Sequence, residues 1–157
     1  MACVRRSIYI LAVGLLIFGA GCTTTNPLPP ADFSAAGWRV QQGQAVWKPS
    51  SSRPEIAGDL LLATNVNGNF FIQFTKMPFP IATAQVSGDQ WRIQFGADEY
   101  AWHGHGTPPT RFSWFQLPRA LLDGNPGGNW KFTRVETNLW RLQNARTGDT
   151  LEGVFFP

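Results

Sequence analysis

Cysteine and histidine are nearly missing from this chain, with two of each in 157 residues. Cys3 lies in a leading segment that carries the marks of a removable signal, which leaves Cys22 alone. No disulfide is then available within the mature chain, even in an oxidising compartment, and stability has to come from the core. Charge is scarce as well, at 15% of residues. Residues 1–21 hold Arg5 and Arg6 and no acid, so the formal charge of +3 falls to +1 without them. The remaining cations are scattered, with Arg111, Arg119, Arg134, Arg141 and Arg146 the nearest approach to a cluster. No basic stripe suited to nucleic acid is present.

Catalytic signatures are missing too. There is no Gly-x-Ser-x-Gly elbow, no phosphate-cradling glycine loop and no nucleophilic cysteine. Asp89, Asp98, Glu99 and Asp123 fall in or near turns, where carboxylates are common as solvated turn formers. The expectation is a protein that is not an enzyme. His103-Gly104-His105 has the spacing of two metal ligands on one strand face, but zinc asks for three or four with a fixed second shell. Only Asp98 and Glu99 lie near enough to add to them. No metal or other cofactor is expected, and the segment from Gly104 to Pro109 reads as an exposed loop.

One long apolar run is present. Arg5 and Arg6 precede Ser7 to Phe18, which is almost wholly Ile, Leu, Val, Ala and Phe, and Gly19-Ala20-Gly21 then lead to Cys22. A charged start, a short apolar stretch and small residues at a cleavage point form a secretory signal, too short for a spanning helix. With cysteine at that point the segment resembles a bacterial lipoprotein signal, whose lipobox ends in Gly/Ala-Gly-Cys. The resemblance implies that Cys22 carries a thioether-linked diacylglyceryl group and becomes the acylated N-terminus. Thr23 follows it in place of the aspartate that marks inner-membrane retention in enterobacterial relatives, which implies the outer membrane, facing the periplasm. The expected division is a signal over 1–21, a lipidated N-terminus and tether over 22–36, and one domain over 37–157. The tether is polar and then proline-rich, from Thr23 to Pro30.

All seven Trp lie in the mature part. Each buried aromatic removes roughly 150–250 Å² from water, so apolar material for a core is ample. The pattern from Trp38 onward is strand after strand. Gly43 to Lys48 is a short candidate ended by Pro49, and Ile56 to Thr64 alternates with Ile56, Gly58, Leu60 and Leu62 on one face. Asn67-Gly68 is a strong hairpin signal because both residues tolerate positive φ. Phe70, Ile72 and Phe74 line the returning strand, Ile81 to Val86 forms another, and Trp91, Ile93 and Phe95 point one way on the next. The pattern resumes with Trp130 to Glu136, Leu139 to Asn144 and Thr150 to Phe156. Between them Thr110 is placed to cap a helix over Arg111 to Gln116, and Pro118 to start a second over Arg119 to Leu122, ended by Gly124.

Strands joined by short turns predict a mainly β (α+β) fold: a strongly curved antiparallel sheet or unclosed barrel, with one or two short helices as a lid. The alternating sets, with Trp47 and with Trp114, Phe115 and Leu121 from the helical insertion, are the candidate lining of an interior. That interior is either a plain packed core or a cavity. A monomer is expected.

In order and spacing the chain resembles the LolB family of outer-membrane lipoprotein receptors and its lipoprotein-carrier relatives. The features that carry the resemblance are the lipobox, a short tether, a Gly-centred first strand from Trp38 to Trp47, and the third link, Phe74-Thr75-Lys76-Met77-Pro78-Phe79-Pro80-Ile81. In that family an open barrel covered by helices shelters the acyl chains of a lipoprotein, received from a periplasmic carrier and placed in the membrane. The family's corresponding link has an Asn-Pro-Leu-Gly type sequence whose leucine protrudes. Here Met77, Pro78, Phe79 and Pro80 occupy it, which implies membrane contact through Phe79. The resemblance implies a cavity walled by Trp47, Leu60, Leu62, Phe70, Ile72, Phe74, Trp91, Ile93, Phe95, Trp114, Phe115 and Leu121. Pro80 stands where the family has glycine, and the short helical segment implies less covered space. The reading from another class is a small structural or protein-binding envelope lipoprotein with a solid core and no lipid cargo.

Overall fold

A computed structural model describes residues 28–29, 31–96 and 100–157; Cys22, Asp98 and Glu99 lie outside them. The described residues form nine strands and one helix. In order these are β1 (Trp38–Lys48), β2 (Ile56–Asn65), β3 (Phe70–Lys76), β4 (Phe79–Ser87), β5 (Gln90–Phe95), β6 (Tyr100–His105), α1 (Ser113–Asp123), β7 (Trp130–Arg134), β8 (Leu139–Asn144) and β9 (Thr150–Phe155). They make a single antiparallel sheet in the order β6-β5-β4-β3-β2-β1-β9-β8-β7. The first six strands form a meander, and β9 returns to pair with β1. β6 and β7 are left as two unjoined edges, with α1 on the connection between them.

The inner face follows from strand alternation. Leu60 and Leu62, Phe70, Ile72 and Phe74, Ala82 and Ala84, and Ile93 are buried on successive strands, as are Trp140, Leu142, Leu151 and Phe155 on the returning ones. The sheet must curve to bring them together. Trp47 on β1 and Phe95 on β5 stack at 5.7 Å between ring centroids, although four strand spacings in a flat sheet span about 19 Å. α1 likewise packs against both β4 and β8. Glycine permits the tight seam between β1 and β9. A Cβ on Gly43 would sit 2.1 Å from the Val154 carbonyl oxygen, and one on Gly153 would sit 2.4 Å from that of Gln44.

Four details differ from the sequence expectations. A single helix, Ser113–Asp123, replaces the two short ones, and Pro118 lies inside it. Thr110 is not its cap: Phe112 holds that position without a side-chain hydrogen bond, and the Thr110 carbonyl instead accepts the Trp130 indole N–H at 2.5 Å. Gly124 does end the helix, at φ +68° with its N–H on the Ala120 carbonyl. The expected loop at Gly104 is part of edge strand β6, where glycine has a packing purpose, since a Cβ there would lie 2.6 Å from the Trp91 ring. In the β2–β3 turn only Gly68 takes positive φ (+79°). Asn65 organises that turn through its Oδ1, which accepts the backbone N–H groups of Asn67 and Asn69, both at 3.0 Å.

The fourth difference concerns the third link. It shortens to the two residues Met77-Pro78, joined by a cis peptide, and Phe79 and Pro80 open β4 instead of lying in a loop. They pair with Lys76 and Thr75, with a register shift at Phe74/Thr75. Pro80 has no N–H to give to the ladder, and the irregularity falls beside it.

Candidate functional site

The twelve residues expected to wall a cavity are brought to one face, but most of them fill it. Leu60, Leu62, Ile72, Phe74 and Ile93 are each no more than 2% exposed, and Trp114 is 1% exposed. Trp114 stacks on Phe74 and meets Trp47 edge-on, both at 5.2 Å. Phe115 touches Phe70 at 6.2 Å and Trp91 at 5.7 Å. Ring contacts at these separations are the ordinary geometry of a packed aromatic core. The first six helical residues are buried, so the N-terminal half of α1 is an internal plug.

Space opens beside the other half. A cavity of about 430 Å³ lies between the C-terminal turns of α1, the β7–β8 turn and the ends of β1, β2 and β9. Leu62, Pro118, Leu121, Leu122, Leu139 and Phe155 supply its apolar wall, and Arg39 and Arg134 reach it from β1 and β7. Of the twelve expected residues, Leu62 and Leu121 border this space. The arginines, Leu122 and Leu139 were not foreseen. The β1 alternation Arg39, Gln41, Gly43, Ala45, Trp47 within the expected strand from Trp38 to Trp47 was the signal that places Arg39 on the inner face.

The β3–β4 turn sits at the opposite end of the sheet from this cavity. Met77 is 80% exposed and Phe79 67%, so two large apolar side chains stand in solvent at one tip. Lys76 borders them on β3.

One acid is placed where the sequence showed no reason for it. Asp149, in the β8–β9 turn, is 7% exposed and accepts the Trp47 indole N–H at 3.2 Å. Burial pushes its carboxyl up to about 7, working against that indole bond. The Ser113 hydroxyl at the start of α1 also faces it without completing a hydrogen bond of standard geometry. Asp149 thus ties β1 to the β8–β9 turn.

His103 and His105 share one face of β6, and His105 Nδ1 lies 3.1 Å from Asp89 Oδ2 in an exposed pair. No group of three or more metal-ligating side chains occurs among the described residues. Among them, too, no helix is long and apolar enough to cross a membrane. No protein-family model matches the chain, and no curated protein matches it significantly.

Proposed function

We propose that this chain is a bacterial outer-membrane lipoprotein, anchored through acylated Cys22, that takes up an acyl chain of a lipoprotein or lipid and helps pass it to the membrane. It acts by binding and not by catalysis. The observation that carries the reading is the cavity of about 430 Å³ bordered by the C-terminal turns of α1 on an unclosed sheet. Clefts that hold small ligands span roughly 300–1,000 Å³. In a LolB-like relay, apolar surface moves from a periplasmic carrier to this cavity and on to the bilayer. Each step is driven by removal of hydrocarbon from water, and no nucleotide is required.

Met77 and Phe79 are the membrane-contact element in this reading. Burial of one Phe is worth roughly 1.5–3 kcal/mol, enough to bias a tip toward lipid but not to hold a protein there. Phe79→Glu is expected to leave the urea unfolding midpoint unchanged and to abolish delivery of a fluorescent lipoprotein to vesicles. Unchanged delivery would remove the turn from the mechanism.

The solid-core alternative draws on one specific observation, the ring-to-ring filling around Trp114. Mass spectrometry of lipid that co-purifies with the full chain separates the two readings: cargo bound in stoichiometric amount supports the receptor, and a lipid-free cavity supports the anchored binding module.

A further inference from the structure

We infer that the cavity selects a single-chain amphiphile with an anionic head, held by Arg39 and Arg134; this rests on the acyl-chain reading above and specifies its ligand. On β1 the inner-face row runs from buried Trp47 and Ala45 through Gly43 and Gln41 to Arg39. On β7 it runs from buried Trp130 through Phe132 to Arg134. Each row starts at a buried tryptophan and ends in an arginine that borders the same cavity, although β1 and β7 are three places apart in the sheet.

No acid is among the described residues that line the cavity. Lys48–Glu55, His105–Asp89 and Arg141–Glu152 are the ion pairs among the described residues, and neither Arg39 nor Arg134 belongs to one. Glu136, two residues beyond Arg134 and past the end of β7, is in none of these pairs. A guanidinium offers a planar fork that fits a carboxylate or a phosphate, and its bonds to anions are about twice as strong as neutral ones. The polar side chains Gln41, Thr64 and Asn138 lie at the cavity beside the arginines. Depth is supplied by leucine and the entrance by cations, which is the division of an amphiphile into tail and acidic head. At about 430 Å³ the cavity is in the lower half of the range for ligand clefts, which suits one tail better than a triacylated anchor.

The test compares two photoreactive ligands that share a chain and differ in the head, a diazirine hexadecanoic acid and the corresponding diazirine hexadecanol. Each is added to the full lipidated protein in neutral detergent, and labelled peptides are identified by mass spectrometry. The acid is expected to label the peptide carrying Leu121 and Leu122. Arg39→Gln with Arg134→Gln should cut that labelling about tenfold or more, as loss of charge-assisted bonds implies. Labelling by the alcohol should be weaker in the parent protein and unchanged in the double variant. A phosphate-headed single-chain lipid that competes as well as the free acid assigns the shared anion chemistry; competition by the acid alone narrows it to carboxylate.

Equal labelling by acid and alcohol, insensitive to the arginines, would overturn the head-group inference while leaving chain binding intact. Labelling of neither kind would remove the acyl-binding reading itself. Labelling that rises severalfold only in a Cys22→Ser chain would show the protein's own lipid in the cavity, and would overturn capture of a free amphiphile. Circular dichroism of the double variant checks that both arginine sites, which are exposed on the surface, leave the fold unaltered.

Discussion

The two halves of α1 lie on the same sheet yet face opposite situations. Trp114 packs against the rings of Trp47 and Phe74 in the buried core, and Asp149, bonded to Trp47, has been drawn inside as well. Around Leu121 and Leu122 space is left beside the sheet, Leu122 is 66% exposed, and Arg39 and Arg134 border the same cavity. Sequence explains the contrast. β1 carries Trp and Ala on its inner face at one end and Gln and Arg at the other, and the helix carries Trp-Phe at its start and Leu-Leu at its finish. Aromatics close one end, while leucines and cations leave the other open.

Substitutions should separate these ends by the size of their effects. Trp114→Ala in the closed end is expected to cost about 3–5 kcal/mol in urea unfolding, because a large ring leaves a hole that its neighbours cannot fill. A loss below 1 kcal/mol would mean that the closed end is loosely packed after all.

The Asp149 carboxyl supplies the next effect, and its sign is opposite to that of a salt-bridged acid. Its folded value, about 7, lies above the ordinary 3.8. Between those values the unfolded chain has released the proton that the folded chain still holds, so rising pH favours unfolding. The contribution of this group is fully present below pH 4, is lost as pH climbs to 7, and is flat beyond. The whole swing is roughly 2–4 kcal/mol, taking 1.36 kcal/mol per unit as the upper scale. Asp149→Asn keeps an acceptor for the Trp47 indole and removes the titration. It should be more stable than the parent at pH 8 and lose this part of the pH dependence, as denaturation at pH 5 and pH 8 would reveal.

The smallest effect belongs to the open end. Leu122→Ala should change stability by less than about 0.5 kcal/mol, as expected for an exposed position, while weakening displacement of a fluorescent fatty acid. If stability falls and binding does not, the two ends are one continuous core and the comparison fails.

Much of the sheet was legible in the sequence because period-2 burial and turn chemistry agree along it. β8 spans the expected residues, β2 differs by a single residue, and Gly68, Gly88 and Gly148 take positive φ at the expected turns. What escaped detection had contradictory local signals. β6 reads as a loop because an edge strand with Gly104 and two histidines has little apolar alternation, and its glycine serves a ring on the neighbouring strand. Pro118 reads as a helix start because its missing N–H is normally tolerated only there; burial of the surrounding Trp114, Phe115 and Leu117 outweighs that cost. The division of the inner face into filled and open parts escaped for another reason. Alternation tells which side a residue faces, but not how closely the opposite wall approaches.

The route of the chain into the domain has a mechanical consequence. The Pro29 carbonyl accepts the Gln85 side-chain amide at 3.0 Å, and Phe33 wedges between Trp38 and Phe71 on the outer face, so part of the expected tether is fastened to the sheet. Six residues lie between Cys22 and Pro29, and the seven steps reach about 25 Å at full stretch. From Gln85 to Phe79 along β4 is about 20 Å. In the proposed anchoring through Cys22, that reach exceeds the distance from Gln85 to Phe79, so the length of chain permits Phe79 to touch the bilayer that would hold the anchor.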